Sequence, residues 1–271
     1  MKVTTLIITN LNTVIQAVVI FFLLHHTVRK IGINIESPHR VFFAFALTAF
    51  FVSDVYWIVF DFMVTGIRMP LAANEVAESA GFLLLAAMIT SLFRGRPVRA
   101  LRATVITFLF SAANVAFWIG WSGEWIQDIV GGVFMAWFMV VTIRAMKSTD
   151  VLSQWKWYLF GIFCAALVVV QTMYFFVPDT QKTICERIGY VLAFAVQIIL
   201  IVRFFRLYAR KADGLTLIPL SCCCFGWSAL TMYMSAGWFY SAAEYLSTLT
   251  FVMMFFAVIK HVPAGKEAGA E

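Results

Sequence analysis

Nine runs of about 20 mostly apolar residues follow one another along the chain, and they constrain its fold more than any other feature. A helix of that length crosses a hydrocarbon core of roughly 30 Å. The composition is 62% hydrophobic and only 13% charged, which leaves too little polar surface to cover a domain in water. The sequence therefore predicts an all-α polytopic transmembrane bundle with spans near 5–24, 41–63, 72–93, 101–120, 125–143, 157–177, 185–202, 215–236 and 240–259.

The short connections between the runs leave no room for an inserted soluble domain. We expect residues 1–260 to form a single transmembrane domain and residues 261–271 to form a short cytoplasmic tail. The first run follows Lys2 as in a signal peptide, but no small-x-small cleavage site precedes His25 and His26. We therefore interpret it as a retained helix.

Lysine and arginine residues concentrate in every second connection. Such basic connections face the cytoplasm in multi-span proteins. The alternation predicts an outside N-terminus, a cytoplasmic C-terminus and a location in the plasma (inner) membrane. The basic surplus then serves topology and contact with the lipid bilayer, and we expect no binding to nucleic acid. Only four of the 20 basic residues lie outside these connections, and they are Lys2, Arg68, Lys182 and Arg187.

The acidic residues have the opposite distribution, and they recur at matching positions. In each pair of spans joined by an outer connection, the first helix carries a polar residue followed by aromatic residues. The second helix carries an acid with a small residue three positions later. The simplest account is four tandem hairpins preceded by one extra N-terminal helix. The polar residues are Asp54, Asn114, Gln171 and Thr231, and the acids are Glu78, Asp128, Glu186 and Glu244.

Asp54 is the most informative of these residues. Asp54 and Glu78 are each twelve residues from Gly66, so at about 1.5 Å of rise per residue they lie at the same depth. Asp61 shares a helix face with Asp54, and Glu75 precedes Glu78 by one turn. Four carboxylates in a poorly solvated site do not all stay ionised, so either some hold protons or a cation lies among them.

Two structural explanations compete with a functional one. An acid in the first turn of a helix is stabilised by the helix dipole, which accounts for Glu75, Asp128, Glu186 and Glu244. Asp54 lies in the second half of its helix, where the dipole is unfavourable, and a carboxylate at that depth costs about 2.5–3.5 kcal/mol. Its structural explanation is an ion pair with Arg187, with Arg68 as the other nearby cation, or a carboxyl–amide network.

We therefore predict a ligand site in the outer half of the bundle. The sequence leaves any cofactor or metal unknown, and its four histidines form no i,i+3 or i,i+4 pair within a span that would favour metal or haem ligation. It contains no P-loop, GxSxG, HExxH or dinucleotide fingerprint, and we expect no enzymatic activity. The candidate ligand-binding residues are Asp54, Asp61, Glu75, Glu78, Asn114, Asp128, Gln171, Glu186 and Glu244.

The segment from Asp54 to Glu78 reads DVYWIVFDFMVTGIRMPLAANEVAE. It resembles the N-terminal multi-span modules of bacterial membrane-bound diguanylate cyclases and related sensors, over about two of the nine spans. In those modules a cytoplasmic C-terminus leads into an output domain. Because this sequence stops soon after the last apolar run, the resemblance implies a sensor that acts on a separate cytoplasmic partner.

Three functions remain open from the sequence. The first is a sensor or receptor module that binds a small cationic or protonatable ligand, or a proton, in the outer half. The second is a small secondary transporter for cations or amines that uses the same carboxylates. The third is a non-catalytic assembly subunit. Transport would require polar residues that continue through the inner half. Gln197 is the only clear polar residue there, so the sensor is favoured.

Overall fold

Long helices account for nearly all of the chain that the structure describes. The computed structural model describes residues 2–31, 38–63, 72–94, 100–122, 125–152 and 154–261. Within these ranges there is no β-strand, and a single π-helical segment, Thr27–Ile31, follows the first helix. The α-helices of the described ranges are α1 (Lys2–His26), α2 (Pro38–Met63), α3 (Ala73–Leu92), α4 (Leu101–Ser122), α5 (Trp125–Ser148), α6 (Gln154–Tyr174), α7 (Asp179–Ala209), α8 (Gly214–Tyr233) and α9 (Trp238–Lys260).

All nine described helices are long and apolar enough to cross a membrane, and the protein is an integral membrane protein. The all-α fold class is confirmed. The largest difference in helix bounds concerns α7, which has 31 residues and extends beyond the predicted apolar run 185–202 at both ends. Hydropathy detects only the part of a helix that lies in hydrocarbon, whereas backbone hydrogen bonding continues into the polar interface. Of the predicted tail, residues 261–271, only His261 belongs to the described residues.

The helices pack as two rings that share one side. In the first ring, α1 packs against α2, α2 against α3, α3 against α5, α5 against α8, α8 against α9, and α9 against α1. In the second ring, α5 packs against α4, α4 against α6, α6 against α7, and α7 against α8. The contact between α5 and α8 belongs to both rings. Consecutive helices are therefore not always adjacent in the rings. Helix α3 packs directly against α5, and α4 belongs to the second ring.

Helix α8 is enclosed because it belongs to both rings. Sixteen of its 20 residues are buried, and the three consecutive cysteines Cys222, Cys223 and Cys224 are fully buried free thiols. Gly226 brings α8 close to α5, because a Cβ atom there would overlap the side chain of Met139. Small residues allow such close approach between helices in a bilayer, where van der Waals packing drives association.

The order of the helices defines two ends of the bundle. At one end α2, α4, α6 and α8 finish and α3, α5, α7 and α9 begin, and we call it the hairpin end. The opposite end, which we call the basic end, carries contacts such as Lys260 Nζ donating to the Tyr208 carbonyl at 3.2 Å. Arg203 donates there to the Val151 carbonyl through Nε and Nη2, at 3.2 and 2.8 Å.

Candidate functional site

Asp54 lies on the inner face of α2 with only 6% of its surface exposed. Its Oδ1 accepts a hydrogen bond of 3.1 Å from Gln16 Nε2 on α1. Its Oδ2 is buried and has no hydrogen-bond partner. The α2 backbone cannot supply one, because N–H groups in the second half of a helix are already bonded to carbonyls one turn earlier. A buried carboxylate oxygen without a donor carries a desolvation cost that nothing in the described protein offsets.

Glu78 joins three helices through neutral donors. Ser53 Oγ on α2 donates to Glu78 Oε1 at 2.9 Å. Tyr233 Oη at the end of α8 donates to Oε2, also at 2.9 Å. Since Ser53 directly precedes Asp54, this contact agrees with the predicted match in depth between Asp54 and Glu78.

Two further acids lie in the first turns of their helices, where the dipole favours negative charge. Glu75 Oε2 accepts from the Asn74 amide at 3.1 Å when that amide is oriented to accept from Trp57 Nε1, also at 3.1 Å. Asp128 Oδ2 on α5 accepts from Ser122 Oγ at 2.5 Å. Both acids are buried, and the helix-dipole explanation fits their positions. For Glu186 and Glu244 that explanation is wrong, because α7 and α9 begin at Asp179 and Trp238 and both acids lie beyond the first turn.

These four acids line one cavity of about 430 Å³ at the hairpin end of the first ring. We call it the acidic cavity. The cavity extends along α3 from Asn74 to Phe82, which corresponds to a depth of about 12 Å. No lysine, arginine or histidine lines the cavity within the described part of the chain. Its polar lining residues are Gln16, Ser53, Asp54, Asn74, Glu75, Glu78, Ser122, Gln127, Asp128, Ser235 and Ser247.

Aromatic side chains form both the walls and the base of the acidic cavity. Trp57, Trp121, Tyr233 and Tyr240 contribute to the lining, and such rings offer their faces to organic cations. The base is a group of four buried phenylalanines whose neighbouring ring centroids lie 4.7 to 5.8 Å apart. This group, the phenylalanine floor, consists of Phe50, Phe82, Phe225 and Phe251.

Below the phenylalanine floor, buried apolar side chains fill the contact between α8 and α9. Ile218 and Cys222 on α8 and Met254 and Val258 on α9 are fully buried. The acidic cavity therefore ends near the middle of the bundle, and its polar lining does not continue towards the basic end.

Comparison of the chain with models of protein families, with curated protein sequences and with solved structures finds no match. The function must therefore be argued from the site itself.

Glu244 lies behind the acidic cavity and is connected to it by hydrogen bonds. Its Oε1 accepts from Thr13 Oγ1 on α1 at 2.8 Å, and its Oε2 is buried without a partner. The single hydroxyl proton of Thr248, one turn along α9, has two acceptors within reach, Gln16 Oε1 at 2.9 Å and the Glu244 carbonyl at 3.1 Å. Gln16 in turn donates to Asp54. Asp54 and Glu244 thus each have one buried carboxylate oxygen without a hydrogen-bond partner, and Gln16 and Thr248 join Asp54 to the main chain of α9.

The remaining candidates are not part of the cavity lining. Gln171 Nε2 on α6 donates to Asn114 Oδ1 on α4 at 2.9 Å, so this pair joins two helices of the second ring. Glu186 on α7 accepts from Trp121 Nε1 at 3.2 Å and lies behind that part of the cavity wall. The side chain of Asp61 lies outside the described part of the structure.

The proposed ion pair between Asp54 and Arg187 is wrong. Arg187 is exposed, and the hydrogen bond that Asp54 accepts comes from the neutral amide of Gln16. The carboxyl–amide alternative is the one the structure contains. The reason is the order of the rings, since α7, which carries Arg187, is on the far side of α8 from α2. Arg68, the other candidate cation, lies outside the described residues.

Sequence reasoning missed the neutral donors of the site. Gln16, Ser53, Asn74 and Tyr233 contact the acids directly. A detectable signal existed for Gln16, because a glutamine within an apolar run requires a polar partner at membrane depth. Serine and tyrosine are common in membrane helices, and neither carries such a signal on its own.

Proposed function

We propose that this integral membrane protein is a receptor-like module that binds a small organic ammonium ion in the acidic cavity. The observation that carries the proposal is Asp54 Oδ2, a buried carboxylate oxygen without a partner in a cavity lined by three further acids. A cationic N–H group placed there would supply the missing donor and offset the negative charge. Protonation of the carboxyl would offset the same single negative charge, so it is the alternative that the binding experiment has to exclude.

The size and walls of the cavity support an organic cation. Its volume of about 430 Å³ lies within the usual range of roughly 300–1,000 Å³ for small-molecule sites. Trp57 and Trp121 belong to its walls, and a cation over an aromatic face gains about 0.5–2 kcal/mol. No group of three or more potential metal ligands converges among the described residues, whereas an ammonium group needs only one carboxylate as a charged partner.

A receptor rather than a transporter is favoured by the base of the cavity. The phenylalanine floor and the packed residues below it leave no polar route to the basic end in this conformation. In the proposed receptor, ligand binding alters the packing of α8 and α9, and a partner at the basic end, predicted to be cytoplasmic, responds.

Ligand-induced stabilisation of the purified protein tests the proposal. A ligand at 100 times its Kd stabilises the folded state by about 2.7 kcal/mol, which is measurable as a rise in melting temperature in neutral detergent. A panel of primary amines, diamines and quaternary ammonium ions is compared with neutral alcohols of the same shape. We expect at least one ammonium compound to stabilise the wild type and the matched alcohol to have no effect.

Two variants locate the response. Asp54→Asn should abolish the ammonium response, whereas Glu186→Gln should keep it, because Glu186 is an acid of the same repeat outside the cavity lining. The proposal is wrong if no ammonium compound stabilises the protein, or if both variants respond like the wild type. Uptake of the bound amine into proteoliposomes would support the binding site but show that the protein is a transporter and not a receptor.

A further inference from the structure

A groove between α6 and α7 at the basic end has a lining unlike that of the acidic cavity. Its volume is about 330 Å³. Three basic side chains, Lys156, Arg203 and Arg206, lie at one end of it, and the rest of its lining is apolar. No acidic side chain is present among the described residues that line the groove.

The apolar part of the groove faces outwards, towards lipid. Leu159 on α6 and Ile198 and Ile199 on α7 are 39%, 54% and 52% exposed, although they belong to membrane-spanning helices. From Lys156 to Phe163 the groove follows α6 for seven residues, about 10 Å into the hydrocarbon region. At that depth, exposed apolar side chains contact lipid acyl chains.

Arg203 is held in position at the mouth of the groove. Its Nε and Nη2 donate to the Val151 carbonyl at 3.2 and 2.8 Å. A guanidinium group has five N–H donors in a fixed plane, so others remain for a ligand. A fixed guanidinium is suited to bind phosphate oxygens because little side-chain freedom is lost on binding.

We propose that this groove is a binding site for an anionic phospholipid. The phosphate lies among Lys156, Arg203 and Arg206, and the first part of an acyl chain follows Leu159, Phe163 and Ile199. Basic pockets between transmembrane helices bind anionic headgroups in this way. The site is independent of the acidic cavity, which lies at the other end of the bundle.

Lipid titration of the purified protein in neutral detergent tests this proposal, with bound lipid counted by native mass spectrometry. We expect phosphatidylglycerol to bind more tightly than phosphatidylcholine of the same chains. Each basic side chain near the headgroup contributes about 1 kcal/mol, a factor of roughly five. The double variant Lys156→Gln/Arg206→Gln should therefore bind phosphatidylglycerol about 25-fold more weakly. Arg203 is left intact because it also holds the Val151 carbonyl.

Matched variants separate the groove from the general charge of the basic end. Arg210→Gln removes one charge from the end of the same helix, away from the groove lining, and should leave the affinity close to that of the wild type. Ile199→Trp keeps all three charges and fills the groove, and it should weaken binding. The proposal is overturned if the double variant binds phosphatidylglycerol as the wild type does, if phosphatidylcholine binds equally well, or if inorganic phosphate displaces the lipid.

Discussion

Replacement of Asp54 by asparagine gives the most direct physical test of the acidic cavity. The structure predicts that Asp54→Asn leaves the protein folded and about as stable as the wild type, or more stable, in ligand-free detergent solution. Gln16 can donate to the asparagine Oδ1 as it does to Asp54 Oδ1 at 3.1 Å. No donor is stranded at the other position, because Asp54 Oδ2 has no partner to lose.

The magnitude follows from two opposing contributions. Removing a carboxylate at membrane depth relieves about 2.5–3.5 kcal/mol. The new Nδ2 is a buried donor without an acceptor, and it costs about 1–3 kcal/mol. The expected result lies between a loss of about 0.5 kcal/mol and a gain of about 2.5 kcal/mol in the free energy of unfolding, so a large loss is excluded.

Thermal melting distinguishes this result from that of a structural ion pair. Loss of one partner of a buried ion pair costs about 3–5 kcal/mol, and for chains of this size 1 kcal/mol corresponds to roughly 2–4 °C. Asp54→Asn should melt near or above the wild-type temperature, and Arg187→Gln should be neutral because Arg187 is exposed. A fall of about 6 °C or more in Asp54→Asn, restored by adding Arg187→Gln, would refute the reasoning.

Two further predictions concern topology and packing. Reporter enzymes fused after Arg96 and after Lys260 should both show cytoplasmic activity, because the basic connections alternate along the chain; periplasmic activity from either fusion would contradict the orientation. Gly81→Ala should lower the free energy of unfolding by about 1–3 kcal/mol, because the added Cβ would lie 2.6 Å from the Phe50 ring in the phenylalanine floor. Gly161→Ala is the matched control, since nothing lies within 4 Å of that position, and equal losses in the two variants would show that crowding is not the cause.

The fold class could be predicted because the bilayer restricts the choices. A spanning segment must satisfy its backbone hydrogen bonds internally, so each long apolar run specifies one helix. The depth of a residue also follows from its distance to a helix end. This is why Asp54 and Glu78 were placed at the same level from sequence, and Ser53 donates to Glu78 at that level.

Which of the candidate residues line the cavity could not be predicted, because periodicity gives the depth of a residue but not the order of helices around a ring. The repeat placed Asn114 and Asp128 in one hairpin as equivalents of Asp54 and Glu78. In the structure Asp128 lines the acidic cavity, whereas Asn114 pairs with Gln171 in the second ring. That separation depends on α3 packing directly on α5, a tertiary contact that no local pattern encodes.

Because α8 belongs to both rings, a movement of α8 in one ring changes its packing in the other. Phe225, Ala229 and Tyr233 line the acidic cavity from one side of α8. On the other side, Trp227 stacks on Phe110 with parallel rings 5.7 Å apart and donates to the Ala193 carbonyl of α7 at 2.9 Å. A rotation of α8 about its axis that widens the acidic cavity must move Trp227 against α4 and α7. Closely packed interiors transmit such strain instead of absorbing it, so the second ring reports the state of the first.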